Sequence, residues 1–159
     1  MSQSLAKVIV HITDSTKHRK PWRNDPDLRS PLYAYNATIL KEEVDSPAIL
    51  INGVEDHLHI LCLLSRKFAI MDVIKASKTE TSQWIKRQGT AHGAFQWQAG
   101  YGIVSVSQSN VEQVKRYIAN QQGHHKRMSF QDEFRKRCKR HGIEIDERYV
   151  WDCKRRALI

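Results

Sequence analysis

The sequence predicts an α+β fold in which one antiparallel sheet carries packed helices. Three observations point there: four strand-like segments, a hairpin made by the middle two, and helical periodicity in the stretches between them. Residues 6 to 13 (Ala-Lys-Val-Ile-Val-His-Ile-Thr) are rich in β-branched side chains and read as the first strand. The dozen residues that follow, with Pro21, Asn24, Asp25 and Pro26, read as a basic loop. From Asp27 to about Glu43 the apolar positions Leu28, Leu32, Tyr35 and Ile39 step by four, three and four, the spacing of an amphipathic helix. Pro47 to Asn52 and His57 to Ser65 are strands on either side of a tight turn at Gly53 to Asp56, which makes the hairpin.

A second helix is expected over Ile70 to Arg87, with Val73, Ile74, Ser77, Thr81, Trp84 and Ile85 along one stripe and a break at Gly89 to Gly93. Phe95 to Ser107 reads as the fourth strand, interrupted at Gly100 and Gly102, where a bulge or a close backbone approach is expected. Ser109-Asn110-Val111-Glu112 has the pattern of a capping box, so a third helix is expected over about 110–122, ending at Gly123. Ser129 is placed to cap a fourth helix that Gly142 stops. No repeat, low-complexity run or linker interrupts the chain. Residues 1–159 are therefore expected to form a single domain, closed by a basic helix and tail over 129–159.

Hydrophobic residues make up 40% and charged residues 27%, an ordinary globular composition. No apolar stretch approaches the ~20 residues of a membrane span. The start of the chain lacks a leader pattern, and Cys62, Cys138 and Cys153 are too scattered for a disulfide framework, so a cytoplasmic location with reduced thiols is expected. The 26 Lys and Arg against 17 Asp and Glu leave a formal charge of +9. Such a surplus favours a polyanionic partner, because phosphate contacts release condensed counterions; solubility alone is the competing explanation. The positive charge gathers around Lys17, Arg19, Lys20 and Arg23, beside Trp22, and again between Lys115 and Arg156. With no P-loop, no Gly-x-Gly-x-x-Gly and no Gly-x-Ser-x-Gly, a nucleotide cofactor and serine esterase chemistry are unsupported.

Two short motifs can carry chemistry. His57-Leu58-His59 starts the second hairpin strand, and the strand period of two turns both imidazoles to one face, half of a metal site or else a pair of ordinary polar residues. Tyr117 and Gln121, four apart on the third helix, present a phenol and an amide together; Tyr117 also borders the apolar stripe of Val111, Val114 and Ile118 and reads equally as a packed aromatic. His124 and His125 follow the expected helix end, where cations complement its dipole. His11, His18, His92 and His141 have no partner at ligand spacing.

In combination these segments resemble the single-tyrosine HUH transposases, which include the REP-associated tyrosine transposases and those of small insertion sequences that move as single-stranded circles. The resemblance runs in order through Asp56-His57-Leu58-His59, Lys78 to Trp84, Phe95 to Gly102, Ser105 to Ser107, Tyr117 to His125, Phe130 to Phe134, His141-Gly142-Ile143 and Asp146 to Tyr149. It departs at Ala69 and Thr81, away from the two motifs. The resemblance implies a ferredoxin-like or RRM-like sheet and an endonuclease that cuts and rejoins single-stranded DNA. Tyr117 would be the nucleophile, forming a 5′-phosphotyrosine link, while His57, His59 and Gln121 would bind a divalent metal, Mg2+ or Mn2+. On ligand softness alone zinc or manganese suits such a set, so manganese satisfies both arguments. It further implies a homodimer with shared active sites, the tyrosine helix exchanged through a loop at Gly100 to Gln108, and DNA recognised as a hairpin at palindromic ends. Lys17, Arg19, Lys20 and Arg23 are candidates for contacts with that DNA and Trp22 for a stacking surface, although a solvated basic loop reads as well. A non-mobile relative that only binds REP or other hairpin DNA is the alternative function. An initiator relative and a water-using phosphodiesterase share the histidine pair.

Overall fold

The structure, a computed structural model, describes residues 2–22 and 26–151. Strands β1 (Ile9–Ser15), β2 (Ala48–Gly53), β3 (His57–Leu63) and β4 (Gly102–Val106) form one sheet in the order β2-β3-β1-β4, with every neighbouring pair antiparallel. Helix α1 (Pro26–Glu42) joins β1 to β2, and α2 (Ile70–Arg87) joins β3 to β4. This βαββαβ order, with β1 and β3 at the centre, is the expected ferredoxin-like arrangement. Among the described residues no helix is long and apolar enough to cross a membrane.

Strand alternation divides the sheet into two buried faces. Val10 and Ile12 of β1 and Leu58, Ile60 and Cys62 of β3 pack with Leu40, Val44, Val73 and Ile74 from the α1–α2 side. The opposite phase begins with Ile9 and Leu61, packed on Val111 and Ile118 of α3 (Val111–Ala119). It continues with His11, Thr13, Ser15, His57 and His59, all buried. One face is an ordinary apolar core; the other is half polar, and its polar half requires partners.

β1 starts three residues later than expected and runs on to Ser15 because its ladder to β3 pairs Ile9 with Leu63 and Ser15 with His57. Pairing of Asp14 with Leu58 of β3 overrides the low strand propensity of that aspartate. The fourth strand is shorter than expected. Trp97 makes only an isolated bridge to Thr16, and the chain then bends until Gly102. Lys78 holds this bend by donating to the carbonyl oxygens of Gln98 (2.8 Å) and Gly100 (2.6 Å). The close approach expected here is at Gly102, where a Cβ would lie 2.6 Å from the Phe134 ring. Most of the expected hinge loop is therefore β4 itself, paired to β1.

The third helix differs at both ends. Residues Gln108–Asn110 form a 3-10 turn, α3 starts at Val111, and Ser109 bonds the Ser107 hydroxyl (3.1 Å) instead of closing a capping box. At the other end Asn52 of β2 donates its amide to the carbonyl oxygens of Ile118 (2.9 Å) and Ala119 (3.3 Å). Those acceptors are satisfied from outside, so α3 stops at Ala119, and a short α4 (Gln121–His125) follows with Gly123 inside it. The next helix, α5 (Phe130–Arg140), behaves as read. The Ser129 hydroxyl accepts from the Asp132 N–H (3.2 Å), and Gly142, at φ +66°, lets the Ile143 N–H reach the Cys138 carbonyl (2.9 Å).

Trp22, expected as a stacking surface, is instead buried among Leu32, Ile85 and Phe95. Its ring meets Phe95 edge-on with centroids 6.2 Å apart. Trp22→Ala should therefore cost about 3–5 kcal/mol of unfolding free energy through the cavity it leaves, read as a lowered denaturant midpoint. Native stability with weakened DNA binding would return Trp22 to the surface role. Arg23, residues 152–159 of the expected tail and the side chains of His124 and His125 lie outside the described residues.

Candidate metal and tyrosine site

The polar half of the second face is where the sequence motifs meet. Register sets Thr13 opposite His59 and Ser15 opposite His57, so the histidine pair lies beside the polar residues of β1. His57 Nδ1 is 2.6 Å from a carboxylate oxygen of Asp56. A carboxylate accepts, so this contact puts the proton on Nδ1 and turns the Nε2 lone pair inward. Nε2 faces Gln121 Oε1 at 3.1 Å. The amide is oriented by its NH2 group, which donates to the Tyr117 carbonyl (3.3 Å) and to Glu133 Oε1 (3.4 Å). Two acceptors are thus turned toward each other.

His59 repeats the pattern. Its Nδ1 lies 2.9 Å from His11 Nε2, while its own Nε2 is buried with no hydrogen-bond partner. Glu133 of α5 approaches both imidazoles, 3.8 Å from His57 Nε2 and 3.9 Å from His59 Nε2. One donor atom from each of these three residues fits within a mutual distance of 4.8 Å. Burial holds His59 well below the ordinary imidazole range, and the neighbouring His11, Arg137 and His57 push it the same way. His11 is lowered by burial, then by Arg137 and His141. Burial raises Glu133, against the pull of His57 and Arg137. A neutral imidazole with an inward lone pair is the form that binds a metal. Converging acceptors with an orphaned buried Nε2 among them fit a divalent cation.

Tyr117 reaches this cluster from α3. Its ring stands edge-on to His59 at 5.7 Å and to His11 at 6.1 Å between centroids. Arg137 of α5 donates to the Tyr117 hydroxyl at 2.6 Å and to Thr13 Oγ1 at 2.7 Å. It also lies 3.6 Å from Glu133. Phe130 covers the outer side of His57, with ring centroids 4.6 Å apart.

Tyr117, His57, His59 and Gln121 therefore come together within one chain. Lys17 is exposed and donates to Gln96 (3.0 Å), Lys20 is exposed, and the Arg19 guanidinium meets the Gln131 amide at 2.9 Å. Sequence reasoning missed His11, Glu133 and Arg137. His11 has a partner only through the β1–β3 register. Glu133 and Arg137 stand in a charged run, but with Phe130, Phe134 and Cys138 they follow the spacing of one helical stripe, and that stripe faces inward.

A family model described as "Transposase IS200 like" matches residues 4–121. No curated protein matches the chain. Among solved structures, one described as a candidate transposase of Deinococcus radiodurans R1 has a TM-score of 0.56 and 21% identity, covering 76% of this chain and 98% of its own. A REP-associated tyrosine transposase bound to a REP hairpin has a TM-score of 0.50 and 9% identity, covering 76% of this chain and 68% of its own. The fold is that of these transposases, and the chain belongs to the IS200-like transposase family. The matched residues end at Gln121, so Glu133 and Arg137 lie beyond them.

Proposed function

We propose that this transposase is a metal-dependent endonuclease for single-stranded DNA that cuts and rejoins strands through a 5′-phosphotyrosine at Tyr117. The observation that carries the reading is the convergence of the Tyr117 phenol with the inward donors of His57, His59, Gln121 and Glu133. In the forward step the Tyr117 oxygen forms a bond to phosphorus and the bond to the 3′-oxygen breaks, releasing a 3′-OH. Rejoining reverses this and conserves the phosphodiester, so it needs no nucleotide cofactor.

His57 and His59 would hold the metal, with Gln121 and Glu133 as the oxygen donors. When bound, the ion polarises a non-bridging phosphate oxygen and offsets the charge that develops in transfer. Glu133 adds a hard, anionic oxygen to the set expected from sequence, which favours Mn2+ or Mg2+ over a softer ion. Lys17, Arg19 and Lys20 are retained as candidate DNA contacts, with Arg23 beside them in sequence. In the homodimer that the resemblance implies, either the chain's own Tyr117 or an exchanged one would take this position.

The solved relative bound to a REP hairpin supports a hairpin as part of the substrate, and the cost of unpairing argues for a single-stranded flank beside it. Unpairing a duplex target would cost a few kcal/mol per base. A labelled hairpin-plus-tail DNA and its fully duplex counterpart, each with and without Mn2+, form the test. Cutting with a covalent protein–DNA adduct is expected only for the tailed hairpin with metal. Equal cutting of the duplex would overturn the reading. Binding without cleavage under every condition would favour the non-mobile hairpin-binding alternative.

A further inference from the structure

Arg137 sets its guanidinium against the tyrosine hydroxyl. Its side chain is only 13% exposed, it lies on α5 one turn beyond Glu133, and one of its N–H groups donates to the Tyr117 oxygen at 2.6 Å. A second N–H group is anchored to Thr13 at 2.7 Å, and the guanidinium carbon lies 5.3 Å from the centre of the tyrosine ring. We propose that Arg137 is a catalytic residue of strand transfer, steadying the Tyr117 oxygen before attack and the scissile phosphate after it. The inference rests on the reading of Tyr117 as nucleophile.

The chemistry follows from what a guanidinium can do. It donates up to five hydrogen bonds and does not give up its proton in a protein, so Arg137 is no general base. During attack the Tyr117 oxygen loses its proton to water, the bond to phosphorus forms, the bond to the 3′-oxygen breaks, and that oxygen takes a proton from water. An N–H aimed at the attacking oxygen favours the negative charge it gathers as the proton leaves. Once esterified, that oxygen is a poorer acceptor. The same N–H can then serve a non-bridging oxygen of the attached phosphate. In rejoining the 3′-OH gives its proton to water as it attacks, the bond between phosphorus and the Tyr117 oxygen breaks, and Arg137 stabilises the departing phenolate until it takes a proton from water.

The surroundings accommodate a strand there. A cavity of about 460 Å3 opens beside Tyr117 between β4, α3 and α5, with Lys136, Arg137, Arg140, Arg127 and His141 among its walls. Cations on one side of the phenol suit a DNA phosphate as the incoming group. Arg137 also ties α5 to the sheet through Thr13 and pairs with Glu133 on its own helix, which is a structural role. The test must therefore separate rate from folding and from binding.

The experiment compares native protein, Arg137→Lys and Arg137→Ala on tailed hairpin DNA with saturating Mn2+, scoring adduct formation, rejoining and hairpin affinity. Arg137→Ala should slow both cleavage and rejoining by about 10²–10³-fold, the scale for losing one preorganised donor, with hairpin affinity held within about twofold. Arg137→Lys should be intermediate, and low millimolar guanidinium should restore part of the Arg137→Ala rate. If Arg137→Ala does not fold, Arg137→Lys decides: a folded lysine variant with native rates overturns the proposal. Loss of affinity in step with rate, without guanidinium rescue, also overturns it by making Arg137 a structural tie. If native protein forms no adduct, the nucleophile reading itself fails, a result distinct from a native adduct that Arg137→Ala forms equally fast.

Discussion

Tyr117→Phe is expected to leave a folded protein that binds hairpin DNA and neither cuts it nor becomes attached to it. The ring sits where phenylalanine fits equally well, against the cluster of Ile9, Leu61, Val111 and Ile118 and edge-on to His59 and His11. What disappears is the hydroxyl oxygen and its bond from Arg137, while Arg137 keeps Thr13 and the nearby Glu133. Losing a hydrogen bond from a charged donor costs about 1.5–3 kcal/mol. That is tolerable within a typical stability of ~5–15 kcal/mol. Removing the attacking atom is not tolerable, and cleavage should fall by roughly 10⁴–10⁶-fold. Denaturing gels of labelled DNA read the adduct directly, and a shift assay reads binding. An undiminished adduct would move the nucleophile to another tyrosine. Tyr101, whose hydroxyl contacts Met71 Sδ at 3.2 Å, and Tyr149, 72% exposed, are the alternatives.

How far the sequence could be read depended on whether the signal was local. α2 was legible to the residue, because an amphipathic stripe is written at fixed intervals along one segment. The hairpin was legible because its strands and turn are contiguous. The ends of α3 were not, since what stops it is Asn52 on β2, more than sixty positions away in the chain. The fourth strand shrank for a similar reason: its bend is held by Lys78 from α2. At the site, His57, His59, Tyr117 and Gln121 were found through a motif and a resemblance. His11 became visible only with the register of β1 on β3. Glu133 and Arg137 were concealed by composition, because a run of charged residues ordinarily faces water. Trp22 failed in the opposite sense, as an aromatic among cations that serves the core.

Removing both imidazoles should abolish cleavage without abolishing DNA binding, and the individual oxygen donors should then rank in a definite order. In native protein, chelator should stop cutting and Mn2+ or Mg2+ should restore it, while hairpin affinity, carried by phosphate contacts, persists. The double variant His57→Ala, His59→Ala should show no cutting at any metal concentration and no heat of Mn2+ binding by titration calorimetry. It deletes both nitrogen donors, including the buried Nε2 of His59 that has no hydrogen-bond partner. The cluster permits a finer expectation than a three-ligand site. Gln121 contributes a neutral amide oxygen, whereas Glu133 contributes a carboxylate that approaches both imidazoles at 3.8 and 3.9 Å. Glu133→Gln conserves size and removes the charge, so Mn2+ affinity should fall by about 10–100-fold, with cutting regained at higher metal concentration. Gln121→Ala should weaken Mn2+ less than Glu133→Gln, because the better donor remains. Cutting undiminished in chelator would defeat the metal site altogether. Native Mn2+ affinity in Glu133→Gln would instead return the ligand set to His57, His59 and Gln121, leaving Glu133 as the partner that orients the Gln121 amide and pairs with Arg137.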